Sequence, residues 1–230
     1  MVTSIKVGTL LLATSSSRCS TLWSFMRSGD KKLKETPLSF HRYKFSEIKW
    51  DGRFFGLVGP RGVGKSTMLL QYIKENLTVA DTLYVSADHM YFAANSLVDL
   101  ADRFVKMNGK HLFIDEIHKY AGWSRELKQI YDSYSELQVV ISGSSILDIY
   151  KGMADLSRRV PIYEMQGLSF REYLMLFHGI DVPAYSLEDI LSHKASIPVA
   201  HPLPLFQDYL KRGYYPFGKD VELEMELMQV

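Results

Sequence analysis

The chain has 230 residues, 47% apolar and 23% charged, with one cysteine and a formal net charge of +1. That suits a globular protein with one sizeable core and a small appended unit, and lone Cys19 excludes an internal disulfide and a multi-cysteine metal site. Residues 1–50 carry nine Lys/Arg against three Asp/Glu and residues 51–230 carry 18 against 23, so the body of the chain offers nucleic acid no basic face.

Residues 1–35 show no sustained period and read as loop; with the next few residues they form an unassigned basic lead, 1–39, the only stretch where nucleic acid would find charge. Within it, Val7–Ala13 is too short, and its basic flank too thin, for an export signal. Residues 40–49 mix aromatics with charges, as a strand or a short helix would, and Asp51-Gly52 is a turn signal. Phe54–Val58 is an unbroken apolar run, the pattern of a parallel strand buried on both faces. The spacing of Met68, Leu69, Tyr72 and Ile73 then predicts a helix over 67–76.

Thr82–Ser86 reads as a second strand, and 96–107 as a helix stopped at Asn108-Gly109. His111–Ile114 makes a third strand running into Asp115-Glu116. Ser124 is placed to cap a helix reaching Tyr134. Leu137–Ile141 is a fourth strand ending in Ser142-Gly143-Ser144-Ser145, followed by a short helix over 146–151 and a fifth strand over 160–165. Strands alternating with helices at this spacing specify an α/β fold with a parallel five-stranded sheet. Beyond Gly167 the texture turns helical: Ser169 is a plausible N-cap, and short helices follow near 186–191 and 205–211. The expected organisation is a nucleotide-binding core over 40–166 and a helical, lid-like segment over 167–230 that stops before a further domain.

The chemistry concentrates after the first strand. Gly59-Pro60-Arg61-Gly62-Val63-Gly64-Lys65-Ser66 fits the phosphate loop Gly-x-x-x-x-Gly-Lys-Ser, lying between a buried strand and a helix as that loop requires. Its glycines let successive N–H groups converge on phosphate oxygens, and the helix start adds a positive dipole end. Lys65 is placed to reach the terminal phosphates, Ser66 to ligate Mg²⁺, and Thr67 to approach the α-phosphate. Asp115, at the tip of a strand taken to lie beside the phosphate-loop strand, would hold Mg²⁺ through its water shell; Glu116 would polarise the attacking water as general base. Ser142 or Ser144 would sense the terminal phosphate. Arg158 and Arg159 would stabilise developing charge, in cis or toward a neighbouring subunit, with a surface ion pair as the bland alternative. His89, His111 and His118 do not form a ligand set, and His118 reads as a polar contact near the site. Asp88 either touches the nucleotide region or starts a turn.

Glu following Asp favours an ATPase. No Asn-Lys-x-Asp element of a GTPase is present, and the paired arginines keep a nucleotide kinase as a minor alternative. Six segments together resemble the prokaryotic ATPases of the AAA_14 type: 59–67, Leu-Phe-Ile-Asp-Glu-Ile-His-Lys at 112–119, Ile-Ser-Gly-Ser-Ser at 141–145, Asp-Leu-Ser-Arg-Arg at 155–159, Gly-Leu-Ser-Phe-Arg-Glu-Tyr-Leu at 167–174 and Tyr-Leu-Lys-Arg-Gly-Tyr-Tyr-Pro at 209–216. The resemblance covers about residues 50–217. It implies a three-layer, AAA+-like P-loop NTPase core and ATP with Mg²⁺, with Lys65, Ser66, Asp115 and Glu116 in the roles given above. Mg²⁺-dependent hydrolysis driving a conformational switch is the expected function, in a cytoplasmic protein with a homo-oligomer as a candidate assembly and no membrane part. An ATP-dependent assembly switch with little turnover, or a DNA-associated helper, are the alternatives.

Overall fold

Four of the five apolar runs become strands whose residues are nearly all buried, and the run over 160–165 makes a shorter, partly exposed edge strand. In the computed structural model, which describes residues 29, 31–145, 149, 160–196, 198–212 and 214–219, they are β1 (Phe54–Val58), β2 (Thr82–Ser86), β3 (His111–Asp115), β4 (Gln138–Gly143) and β5 (Ile162–Glu164). All pair in parallel, in the order β2-β3-β4-β1-β5. The helices are α1 (Lys44–Glu47), α2 (Lys65–Asn76), α3 (Leu97–Lys106), α4 (Trp123–Ser133), α5 (Phe170–His178), α6 (Leu187–Leu191) and α7 (Pro202–Arg212).

Successive strand residues point to opposite faces, so neighbours in sequence enter different cores. Phe54, Leu112, Ile114, Val139 and Ile141 pack with Leu97, Leu100 and Phe104 of α3 and Leu127 and Ile130 of α4. Phe55, Leu57, Phe113 and Val140 face the other way, onto Met68, Leu69 and Ile73 of α2. Burying each such side chain contributes about 1.5–3 kcal/mol, and two full faces of them hold the sheet as the middle of three layers.

The structure corrects the sequence reading at three places. Helix α4 starts after Gly122, which takes a left-handed φ of 78°, and Ser124 lies inside the first turn instead of capping it. Residues 31–35 are helical where loop was expected. The third correction is topological: β3 is not beside β1, because β4 runs between them. Of the two options for 40–49, the short helix α1 is the one found. The predicted helix over 146–151 falls outside the described residues except at Ile149, which is helical.

Two attachments frame the core. On one side, Gln71 of α2 donates to the carbonyls of Pro37 and Phe40 (both 2.8 Å), and Lys74 to those of Thr36 (2.8 Å) and Lys34 (3.1 Å), strapping the pre-β1 segment along α2. On the other, α5 opens with a capping box between Ser169 and Glu172 and builds its own small cluster from Tyr173, Leu174 and Val182. Beyond it, α6 and α7 leave Leu187, Leu191, Leu203 and Leu210 largely exposed. No helix among the described residues is long and apolar enough to cross a membrane.

Candidate nucleotide site

The loop after β1 turns because Gly62 and Gly64 adopt φ of 82° and 97°, a region that side chains with a Cβ rarely enter. Gly64 is the residue from which α2 departs, so the open N–H groups of the helix start sit beside the loop. Within it, Lys65 is buried at 4% exposure and its Nζ donates to the carbonyls of Gly59 (2.7 Å) and Pro60 (2.8 Å). Burial pushes this ammonium below the usual lysine range, while Glu116 and Asp115 pull it back up. Arg61 is exposed on the loop, and Val63 is buried beneath it.

Asp115, at the end of β3, is 3% exposed and accepts three hydrogen bonds. Its Oδ2 accepts from the Tyr84 hydroxyl at 2.5 Å; its Oδ1 accepts from the Ser142 hydroxyl and from the backbone N–H of Glu116 at 3.1 Å. Burial first, and then the Asp115 charge, push the Tyr84 hydroxyl far above the usual phenol range, which keeps it a donor. Ser142 comes from β4, the strand inserted between β1 and β3. Glu116 is held differently. Its backbone is left-handed (φ 53°, ψ 40°), and its Oε2 meets the Ser144 hydroxyl at 3.3 Å and His118 Nε2 at 3.4 Å. Ser144 and His118 are themselves 3.3 Å apart, and the buried Nδ1 of His118 has no hydrogen-bond partner.

Ser66, Tyr84, Asp115 and Glu116 line one cavity of about 370 Å³, together with Ser86 and Asp88. Asp88 is both lining and turn: it accepts from the Ser86 hydroxyl at 2.5 Å. His89 also reaches this cavity and caps the turn of 3₁₀-helix Met90–Ala93, whereas His111 lies at the far end of β3 against Gln138. Thr67 faces elsewhere, into a second, more apolar cavity of about 180 Å³ with Phe40, Gly64, Gln71, Leu176 and Pro216. Arg158 and Arg159 lie outside the described residues. The oxygen donors of the first cavity, a hydroxyl and carboxylates, are the set that Mg²⁺ prefers. With three hydrogen bonds already made, Asp115 keeps about one acceptor position, which suits a carboxylate that holds a hydrated cation through water.

Tyr84 and Arg42 were not singled out from the sequence. A tyrosine in the middle of a buried strand needs a partner for its hydroxyl, the one signal that could have found Tyr84. Arg42, described below, left no such signal.

A parallel sheet in this order, with a phosphate loop after β1 and an acid pair after β3, defines a P-loop NTPase domain of the AAA+ type. The AAA_14 family, described as an AAA domain, matches residues 51–174, more than half of the sequence, and the chain belongs to that family. The membership gives it a nucleotide-binding, ATPase-like role. Among solved structures, the S. cerevisiae Hsp104–ADP complex aligns over 89% of this chain and 32% of its own, at 17% identity and a TM-score of 0.50, a likeness of fold. This chain therefore spans about a third of the length of that protein. A structure describing katanin self-assembly aligns over 80% of this chain and 73% of its own, at 15% identity and a TM-score of 0.46. No curated protein matches the sequence.

Proposed function

We propose that the chain binds ATP with Mg²⁺ on the phosphate loop and hydrolyses it to drive a conformational switch. The observation that carries this reading is the convergence of Ser66, Asp115 and Glu116 on one cavity beside the buried Lys65. In this reading Lys65 exchanges its two loop carbonyls for phosphate oxygens, which return the charge that burial disfavours. Ser66 and Asp115 would hold Mg²⁺, whose chemistry is to neutralise phosphate charge. Glu116 takes a proton from the attacking water, and Ser144 orients Glu116 through its hydroxyl. Arg158 and Arg159 remain proposed as charge stabilisers, in cis or toward a second copy in a homo-oligomer. The base and ribose would leave the cradle past Gly64 and Thr67 into the apolar second cavity.

The proposal divides the chain into a core over 40–166, joined by the strapped residues 31–39, and a lid-like segment from 167 onward. A cytoplasmic setting rests on the single cysteine. A low-turnover assembly switch is the second reading, favoured by the contacts of Glu116 with Ser144 and His118, which hold the carboxylate in place. The deciding experiment is steady-state hydrolysis of Mg²⁺-ATP by wild type beside Lys65→Ala, with calorimetric binding. Hydrolysis lost with binding in the variant supports the enzyme; wild-type binding with an ATP-dependent change of size and no turnover supports the switch; no wild-type uptake sinks both.

A further inference from the structure

Arg42 lies before β1, far in sequence from every motif of the site, yet its guanidinium is 9% exposed and reaches the phosphate loop itself. Its Nη1 donates to the carbonyl of Val63 at 2.6 Å. The other arms go to the opposite side: Nη2 to the carbonyls of Gln166 and Gly167, both at 2.8 Å, and Nε to Glu172 Oε1 at 2.7 Å. Glu172 is the third residue of α5 and completes the capping box with Ser169; it accepts the backbone N–H groups of Tyr43 and Ser169, each at 2.9 Å. Burial alone would push the Glu172 carboxyl up; the Arg42 hydrogen bond and the Ser169 N–H more than reverse it and hold it below the usual range.

Stability does not explain this arrangement. A buried ion pair replaced by well-packed apolar residues is often neutral or more stable, so the pair is weak as a fold stabiliser. An apolar replacement would fail at orientation. In a trans peptide the C=O and the following N–H point in opposite directions. Drawing the Val63 carbonyl toward Arg42 therefore turns the Gly64 N–H away from Arg42, at the point where α2 begins and its open N–H groups gather. Only a planar fork with several donors can hold that carbonyl and the start of the post-β5 segment at once.

We infer that Arg42 is a positioning residue: it sets the Val63–Gly64 peptide for phosphate and ties the loaded loop to α5 through Glu172. The inference rests on the proposed nucleotide binding. Phosphate pulling on the Gly64 N–H strengthens the opposing hold of Arg42 on Val63, and the same guanidinium carries the change to Gln166, Gly167 and the first turn of α5. Ligand occupancy and the order of α5 are then one linked equilibrium.

The test uses the full chain and Mg²⁺-ATP, with calorimetric Kd and hydrogen exchange over residues 166–178. In wild type, nucleotide should slow exchange there. Arg42→Lys keeps the charge and loses the fork: Kd should rise about tenfold or more, and the slowing should disappear. Glu172→Gln keeps the shape and leaves the hold on Val63, Gln166 and Gly167 intact: Kd should stay within about twofold, while the slowing within α5, residues 170–178, is lost. This second variant decides the matter if Arg42→Lys does not fold. A purely structural pair would lower the thermal midpoint of both variants and leave Kd and the exchange response as in wild type, which overturns the inference. Wild-type binding with no exchange response overturns it as well, leaving the nucleotide reading intact. Absence of wild-type binding fails that reading, and this one with it.

Discussion

The sheet and the helical segment after Gly167 are both rich in apolar side chains, yet they are held in different ways. In the sheet, Leu57, Phe113 and Val140 are fully buried between helices, and the buried Asp115 is held by three hydrogen bonds. In the helical segment, a small cluster around Tyr173 is held internally by the Leu168 N–H to the Tyr214 carbonyl at 2.8 Å and the Tyr209 hydroxyl to the Leu168 carbonyl at 2.7 Å, and is tied to the core by Glu172, which accepts from Arg42 and from the Tyr43 N–H. Apolar packing is non-directional and costs much to undo, whereas a handful of hydrogen bonds can re-form in a second arrangement. The sheet is thus the fixed reference that positions chemistry, and the helical segment is the part built to report on it.

The sharpest way to break that division is at Glu116. If the chemistry belongs to the sheet edge, Glu116→Gln should lower turnover by about 100- to 10,000-fold with the Kd for Mg²⁺-ATP unchanged, measured by steady-state kinetics and calorimetry. Equal turnover in the variant would remove the assigned base. Next in size, Phe113→Ala in the middle of β3 should cost about 3–5 kcal/mol in denaturant unfolding, through a cavity that two packed layers cannot close. The third prediction concerns the tie between the regions. The carboxyl of Glu172 is lowered in the folded chain, so its stabilisation is present above the ordinary glutamate value of 4.5 and is lost as pH falls through the lower folded value. Glu172→Gln should therefore cost about 1–3 kcal/mol near neutral pH, and the two unfolding curves should converge in acid. The smallest effect is expected at the exposed face: Leu203→Ser, 72% exposed, should stay within about 0.5 kcal/mol of wild type. A loss of more than about 1.5 kcal/mol there would mean that the helical segment has a core partner after all, and the contrast would fail.

Much of this architecture was legible because it is local. The unbroken run Phe54–Val58 and the loop Gly59–Ser66 carry strand, turn and helix start in adjacent residues, and Ser169 with Glu172 spells out a capping box three residues apart. What sequence alone concealed is long-range. Nothing near β1 says that β4 intervenes before β3, because strand order is decided by crossovers and not by any one segment. Arg42 and Glu172 meet across 130 residues, and each by itself looks like an ordinary surface charge. Tyr84 reads as one more apolar strand residue until its hydroxyl is followed to Asp115. At α4, Ser124 advertised a cap, but Gly122 bends the chain first and starts the helix two residues earlier.

The left-handed backbone at Glu116 has a consequence for any survey of substitutions at that position. Asparagine, aspartate and glycine accept such a φ readily, whereas valine or isoleucine would have to rebuild the turn leading into His118. A saturation library at position 116 would therefore mix two kinds of loss, one from missing a proton acceptor and one from a displaced main chain. Branched replacements would look catalytically dead for a steric reason, and glycine would relax the turn while deleting the side chain.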